Sequence, residues 1–373
     1  MRLRVNQEDL HKALQITLKA SSPTSTLPIL GAVLLRAWES TLALTTTNLE
    51  LSVRLSITAE VEEEGEIALP ARDLADLARF LPPGPLFIQS DPDAPRSVLL
   101  SRGDSRWKIN GYPVEDFPGF PAVTSNGFSL PVDFFRSAVQ KGGAAVARDD
   151  TGRVFNGIFI EADAEGTLHV VSTDTHRLAY AWGKVLDTPL EPWSILVPGK
   201  NLLDMIRLLS REQFLFGIAE NACTLSTKDF ETELRLLEGR FPAYQQVIPK
   251  KWQTRIEIDA GELAASVQRA LVIGRPDDKT KTPVLRLKLS GQSVSVESAW
   301  QERGEMHEEL PAKIEGEELE IAFNARYLLD GLQAVGAEEV VIEFNGPTGP
   351  AIIRPRQEKE VACLYLVLPV RLR

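Results

Sequence analysis

The feature that most constrains this chain is a helix written three times. Residues 69–81 read LPARDLADLARFL, residues 196–209 read LVPGKNLLDMIRLL and residues 322–335 read AFNARYLLDGLQAV. Each has an apolar lead, a helix-starting Pro or Asn, a basic residue and then Leu at helical spacing. Pro70, Pro198 and Asn324 fall in register, 128 and 126 residues apart. A second amphipathic helix keeps the same beat from Val5, Leu130 and Ile258. It carries Asn6, Asp133 or Asp259 near its start, where a side-chain oxygen can accept an orphan backbone N–H. A third element alternates apolar and polar residues as half-buried strands do, from Thr41, Thr167 and Ser293, every 126 residues.

Three elements in one order at one spacing divide the 373 residues into three copies of about 124. Solenoid repeats of roughly 20–50 residues cannot bury a core alone, whereas a unit of this length can. Prolines punctuate the first two copies at DFPGFPA (116–122) and RFPAYQQVIP (240–249), giving expected domains 1–121, 128–248 and 254–373. The expected fold class is α+β, each copy laying two helices on one face of antiparallel sheet. The six helices are expected at 8–20, 70–81, 131–142, 198–211, 260–273 and 323–334.

Composition narrows the function classes. No run approaches the roughly 20 apolar residues of a membrane span, and the charged opening MRLRVNQEDL lacks a signal peptide's apolar centre. Cys223 and Cys363 lie in different copies and are too few for a disulfide framework or a zinc site. A cytoplasmic protein without cofactor or metal is expected. The net charge of −11 argues against nucleic acid until its distribution is considered. The six helices carry eleven cations against eight anions, a surplus of three, which leaves −14 for the rest. Helices lining a hole would give it a mildly basic wall inside an acidic exterior, suited to phosphate without base readout.

Size connects the repeat to a ring. A domain of this length has a diameter of roughly 30–35 Å. Three such bodies in a closed ring leave a hole of only ~5 Å and six leave about one body diameter, against a duplex on the order of 20 Å across. Two chains joined head to tail could therefore encircle DNA where one could not. The ends are suited to joining. PRSVLLSRGDSRWKIN (95–110) offers Arg96, Arg102 and Arg106 with apolar Trp107 and Ile109. The last copy offers Glu302 and Glu305 in a Glu-rich stretch, beside Val272 and Ile273 at the end of its opening helix.

TLPILG (26–31), PAR (70–72), DFP (116–118), STDTHRLA (172–179), GRFPAYQQVIPK (239–250) and VLPVRL (367–372) together resemble the bacterial DNA polymerase III sliding clamp family, in order along the whole chain. The resemblance implies a non-catalytic homodimeric ring of six similar domains, with helices inside, encircling duplex DNA without sequence preference. It also implies a cleft between the second and third domains for short peptides of the polymerase catalytic subunit, the clamp loader and other partners. Carried over by motif, the cleft is Phe155, Thr173, Thr175, His176, Arg177, Leu178, Pro242, Val247, Val367, Leu368, Pro369, Val370 and Arg371, with Arg177 and Arg371 orienting the peptide. The DNA-facing cations are expected to be Lys12, Arg72, Arg79, Arg136, Lys141, Lys200, Arg207 and Arg326, with Arg148 and Arg153 from RDDTGRVF. Gln245 and Gln246 stand where many relatives are basic.

The repeat singles out this cleft independently, because TTTNLELS and ESAWQERG stand in the other copies where the second has STDTHRLA. Asp174 and His176 occur in one copy, so the fold alone does not require them. Two other readings compete: a self-assembling scaffold without nucleic acid, and a hydrolase using Asp174 and His176, which would share one face of a strand.

Overall fold

The computed structural model describes residues 1–120, 127–147, 152, 154–185, 191–273, 283–300 and 303–370. Its helices are α1 (Gln7–Thr17), α2 (Ala71–Phe80), α3 (Val132–Gly142), α4 (Gly199–Met205), α5 (Ala260–Ile273) and α6 (Ala325–Val335). All six sequence-expected helices are present, and none is long and apolar enough to cross a membrane.

Their starts follow local chemistry. Asn6 Oδ1 accepts the Glu8 N–H at 2.9 Å and Asp259 Oδ1 accepts the Glu262 N–H at 2.7 Å. Asn324 Oδ1 accepts from the backbone of Arg326 at 2.9 Å and Tyr327 at 3.3 Å. Asp133 departs from the expected cap. Pro131 holds that position, and Asp133 sits in the first turn, 2.7 Å from Arg136 Nη1. Helix α4 is shorter than expected, because the chain tightens into a 3₁₀ turn at Ile206–Leu208 before the Gln213–Ile218 strand.

The strands explain why the chain divides into two compact units rather than three. Unit 1 comprises Met1–Leu130 and Leu208–Leu236, and unit 2 comprises Pro131–Arg207 and Leu237–Arg373. In unit 1, four strands of the first copy (Gly65–Pro70, Ala32–Trp38, Thr41–Thr47, Leu51–Thr58) continue into four of the second copy, ending at Phe128–Pro131. The seam pairs Leu51–Thr58 with Phe230–Arg235, Ser52 opposite Glu233. Unit 2 repeats the device. Four second-copy strands from Trp193–Pro198 to Arg177–Lys184 continue into five third-copy strands, with Leu178 opposite Leu366 at the seam. Ladder hydrogen bonds across these seams merge neighbouring copies into one sheet.

Each unit has one further sheet. In unit 1 it runs Glu60–Glu63, Arg2–Asn6, Pro85–Asp91, Ala94–Arg102 and Ser105–Asn110. In unit 2 it runs Gly304–Pro311, Ser293–Trp300, Val284–Ser290 and Leu319–Asn324. Helices α1 and α2 pack together over the first-copy core, where Leu10, Leu14, Leu74 and Ala78 are fully buried beside Leu35, Leu44 and Ile88. Helices α5 and α6 pair likewise in unit 2. Burying such side chains contributes about 1.5–3 kcal/mol each.

Candidate functional site

The STDTHRLA stretch forms a tight turn between the Thr167–Thr173 and Arg177–Lys184 strands. Thr173 Oγ1 donates to the Arg177 carbonyl at 2.7 Å and accepts the Thr175 N–H at 3.2 Å. Asp174 Oδ1 accepts the backbone N–H groups of His176 at 3.0 Å and Arg177 at 3.1 Å. Thr175 takes φ 76°, the left-handed conformation such a side-chain-closed turn requires. Asp174 and His176 therefore lie in a turn, where strand parity does not apply, and the Asp174 carboxylate binds His176 through its backbone. The His176 ring stacks on Tyr327 of α6, with centroids 6.3 Å apart. The acid–base pair of the hydrolase reading is not assembled.

Arg177 corrects a second expectation. Its side chain is 4% exposed and points inward. Nε donates to Asp174 Oδ2 at 2.7 Å, while Nη1 donates to Asp330 Oδ2 at 2.7 Å and to the Tyr365 hydroxyl at 3.1 Å. The guanidinium also lies over the Tyr327 ring, 4.4 Å from its centroid. Burial works against the charge, but the Tyr365 phenol and the Asp330 and Asp174 carboxylates outweigh it and raise the Arg177 pKa. Arg177 thus braces the turn against α6 from beneath instead of presenting its charge at the surface.

The remaining residues expected at the cleft separate into a buried and an exposed set. Leu178 and Val367 are buried, Leu178 in an apolar cluster with Val171, Leu196, Phe241, Tyr244, Ile352, Leu364 and Leu366. Within it Phe159 stacks on Phe241 at 5.0 Å. Val247 and Leu368 keep 56% and 40% of their surface exposed, an unusual exposure for large apolar side chains. Thr175, His176 and Pro242 are exposed, Thr173 is buried, and Phe155, Pro369 and Val370 are half-buried. The tail is tied down by Leu368 N–H to the His176 carbonyl at 2.9 Å and Val370 N–H to the Ala322 carbonyl at 2.7 Å. Arg371 lies outside the described residues. Tyr327, against both His176 and Arg177, was not anticipated from sequence, although its counterparts in the other copies are Asp73 and Asn201.

The turn at Thr47–Ser52 is the first copy's counterpart, 126 residues earlier. Asn48 Oδ1 accepts the Glu50 and Leu51 N–H groups at 3.0 and 2.8 Å, Thr47 Oγ1 accepts the Leu49 N–H at 3.1 Å, and Leu49 takes φ 72°. The turn-closing role of Asp174 is therefore shared by the first two copies, met by Asn in one and Asp in the other. What distinguishes the second copy is His176 and Arg177 in place of Glu50 and Leu51.

The helix cations also separate. Lys12, Arg72, Arg79, Lys200 and Arg207 are exposed. Arg326 is 56% exposed, with Nε 3.2 Å from Asp330 Oδ1. Lys141 and Arg136 are half-buried and engaged, Lys141 Nζ with the Val361 carbonyl at 2.9 Å and Arg136 with Asp133 and, at 3.4 Å, the Ile206 carbonyl. These two are engaged within the protein, whereas the five cations above are exposed. Arg148 and Arg153 lie outside the described residues.

At the expected joining surface, Arg96, Arg106 and Glu305 are exposed, Trp107 and Ile109 are half-buried against the first-copy core, and Ile273 is half-buried. Val272 is 76% exposed. Arg102 instead folds back to donate to the Pro83 carbonyl, and Glu302 lies outside the described residues.

Three copies of a two-helix unit on antiparallel sheet, joined strand to strand at their seams, define a clamp-type protein. Profiles of the DNA polymerase III beta subunit match its N-terminal domain at residues 1–121, its central domain at 129–243 and its C-terminal domain at 245–371. The chain belongs to this family. It is 31% identical to the beta sliding clamp of Streptomyces coelicolor over 100% of both chains. Two solved structures match over 100% of both chains: a DNA polymerase sliding clamp from Bacillus subtilis (25% identity, TM-score 0.92), and a Pseudomonas aeruginosa sliding clamp bound to griselimycin (29%, TM-score 0.91).

Proposed function

We propose that two copies of this chain join head to tail into a six-domain ring that encircles duplex DNA and tethers the replicative polymerase. The exposed helix cations Lys12, Arg72, Arg79, Lys200 and Arg207 supply its inner wall, where sequence-independent phosphate attraction permits sliding. The rim formed by Val247, Leu368 and His176 takes a short apolar peptide from the polymerase catalytic subunit, the clamp loader or another partner. Acting on chromosomal DNA implies a cytoplasmic protein. On this reading each chain contributes three domains, taken as 1–121, 128–248 and 254–373 from the repeat.

The observation that carries the ring is a pair of sheet edges. The Leu51–Thr58 and Arg177–Lys184 strands each pair across a seam with the next copy, and the third-copy counterpart, Gly304–Pro311, ends its sheet among the described residues. The Phe230–Arg235 and Ala362–Val367 strands are the acceptors of those seams, and their first-copy counterpart, Ser105–Asn110, also ends its sheet. Unpaired edges invite pairing with another chain.

The register transfers from the two internal seams. Ser52 and Leu178 face Thr47 and Thr173 in their hairpins, and Glu305 faces Ala299 in the third. Ser52 meets Glu233, Leu178 meets Leu366, and Lys108 is the first-copy counterpart of Glu233 and Leu366. The seam between chains therefore sets Lys108 opposite Glu305, Arg106 opposite His307 and Trp107 opposite Met306. Arg106 then lies diagonal to both Glu305 and Glu309, a favourable charge arrangement.

A charge swap tests this register. Sedimentation of Glu305→Lys should show monomer, and mixing it with Lys108→Glu should restore a one-to-one dimer. Unchanged dimerisation of Glu305→Lys would reject the register.

A further inference from the structure

Asp330 is shared between two arginines that face different tasks. Its side chain, 11% exposed, gives Oδ2 to buried Arg177 at 2.7 Å and Oδ1 to Arg326, four residues earlier on α6 and 56% exposed, at 3.2 Å. The first contact belongs to the cleft. Arg177 holds Asp174, whose other oxygen closes the turn carrying His176, and the His176 carbonyl in turn holds the Leu368 N–H. The second contact belongs to a cation exposed on the helix surface. Within this group two carboxylates balance two guanidiniums, so the pull of Asp330 on Arg177 depends on how much of its charge Arg326 takes.

We propose that Asp330 is a positioning residue that couples the cleft to the helix surface. When Arg326 turns outward to an anionic backbone, the carboxylate is left wholly to Arg177, the Thr173–Leu178 turn is held more firmly, and the rim accepts its peptide more tightly. This rests on the reading of the cleft as a peptide site and of Arg326 as a DNA-facing cation. Because the partly buried pair is weakly screened, a redistribution of one charge there is felt over the length of the network. Linkage makes the effect reciprocal, so a bound peptide also favours the outward position of Arg326.

Arg326→Gln in DNA-free protein imitates the withdrawal of Arg326 without touching the rim. The probe is the tightest binder from a set of overlapping fluorescent synthetic peptides that tile the polymerase catalytic subunit, followed by anisotropy. Arg326→Gln should bind it about five-fold more tightly than the parent chain. Lys359→Gln, which removes one positive charge from beyond the other end of α6, should leave the affinity unchanged. In an Asp330→Asn background the Arg326→Gln effect should vanish, with thermal melting used to check that this background is folded. Equal affinity of parent and Arg326→Gln would overturn the coupling while leaving the cleft intact. A five-fold effect that persists without the Asp330 charge, or that Lys359→Gln reproduces, would overturn it too. Absence of peptide binding by the parent would reject the cleft itself and the coupling with it.

Discussion

Two turns 126 residues apart, Thr47–Ser52 and Thr173–Leu178, share a backbone conformation and a set of side-chain-to-backbone bonds, yet only the second has the making of a binding site. In both, a Thr hydroxyl and an Asn or Asp oxygen close the loop and force the following residue to positive φ. Leu51 then buries an apolar side chain in the first turn, whereas Arg177 buries a charge in the second, matched by Asp174, Asp330 and Tyr365. The scaffold is thus common to the first two copies. Function enters at positions where one copy departs from the others and its neighbours have changed to match.

The largest expected effects come from exchanging those two residues. Arg177→Leu leaves buried Asp174 without its cation and Asp330 with Arg326 alone, and should destabilise unit 2 by about 3–5 kcal/mol in urea unfolding. Leu51→Arg, 2% exposed in the parent, should harm unit 1 to a similar degree, since it puts a charge at an apolar site whose turn is closed by neutral Asn48 in place of Asp174. The triple change Arg177→Leu, Asp174→Asn, Asp330→Asn should recover most of the loss, because the first copy stands with Asn and Leu. Failure to recover would mean that the two turns are less alike than their hydrogen bonds indicate.

Next in size are the rim residues. Leu368→Ala and Val247→Ala should each weaken peptide binding by about ten-fold in calorimetry, as truncation of an apolar anchor site does. Leu49→Ala, 50% exposed on the counterpart turn, should change nothing in that titration. Equal losses at both turns would place a peptide site on each.

A smaller difference separates Asp174→Asn from Asn48→Asp. Both keep the turn closed, but the first loses the charge-assisted bond to Arg177 and should cost about 1.5–3 kcal/mol. The second should stay within about 0.5 kcal/mol.

The mildest contrast is in alkaline stability. Burial raises the pKa of Tyr365 and Tyr244 and pushes Tyr180 up to about 12, all in unit 2, whereas Tyr112 is the sole tyrosine of unit 1. Unfolded phenols ionise near pH ~10. Stability from these neutral phenols is present below that pH and lost as pH rises from there through the raised folded values. Above pH ~10 the urea midpoint should fall further for unit 2, with these phenols and the buried Cys363 thiol, than for unit 1, where burial raises the Cys223 thiol, and a larger fall in unit 1 would contradict the burial account.

Much of this was legible in the sequence because it is local. Helix starts were written in Asn6, Asp259 and Asn324, and the copies in their common spacing. Asp133 was misread since a Pro two residues earlier already occupies the cap. The seams were not legible, because pairing Ser52 with Glu233 depends on strands far apart in the chain. The proposed rim residues were named by motif. The inward course of Arg177 was not legible, since its partners Asp330 and Tyr365 belong to another copy. Tyr327 stood in reach of the comparison that found His176, as a lone aromatic where the other copies have Asp73 and Asn201.

The central claim, that this chain holds DNA by enclosing it, is tested most directly by retention on circular against linear duplex. Protein loaded with its clamp loader and ATP is challenged with high salt on a circle and on the same circle after linearisation. The account predicts that it stays on the circle and runs off the ends of the linear form. Loss from both at the same salt would show that the helix cations merely attract phosphate and would contradict the ring.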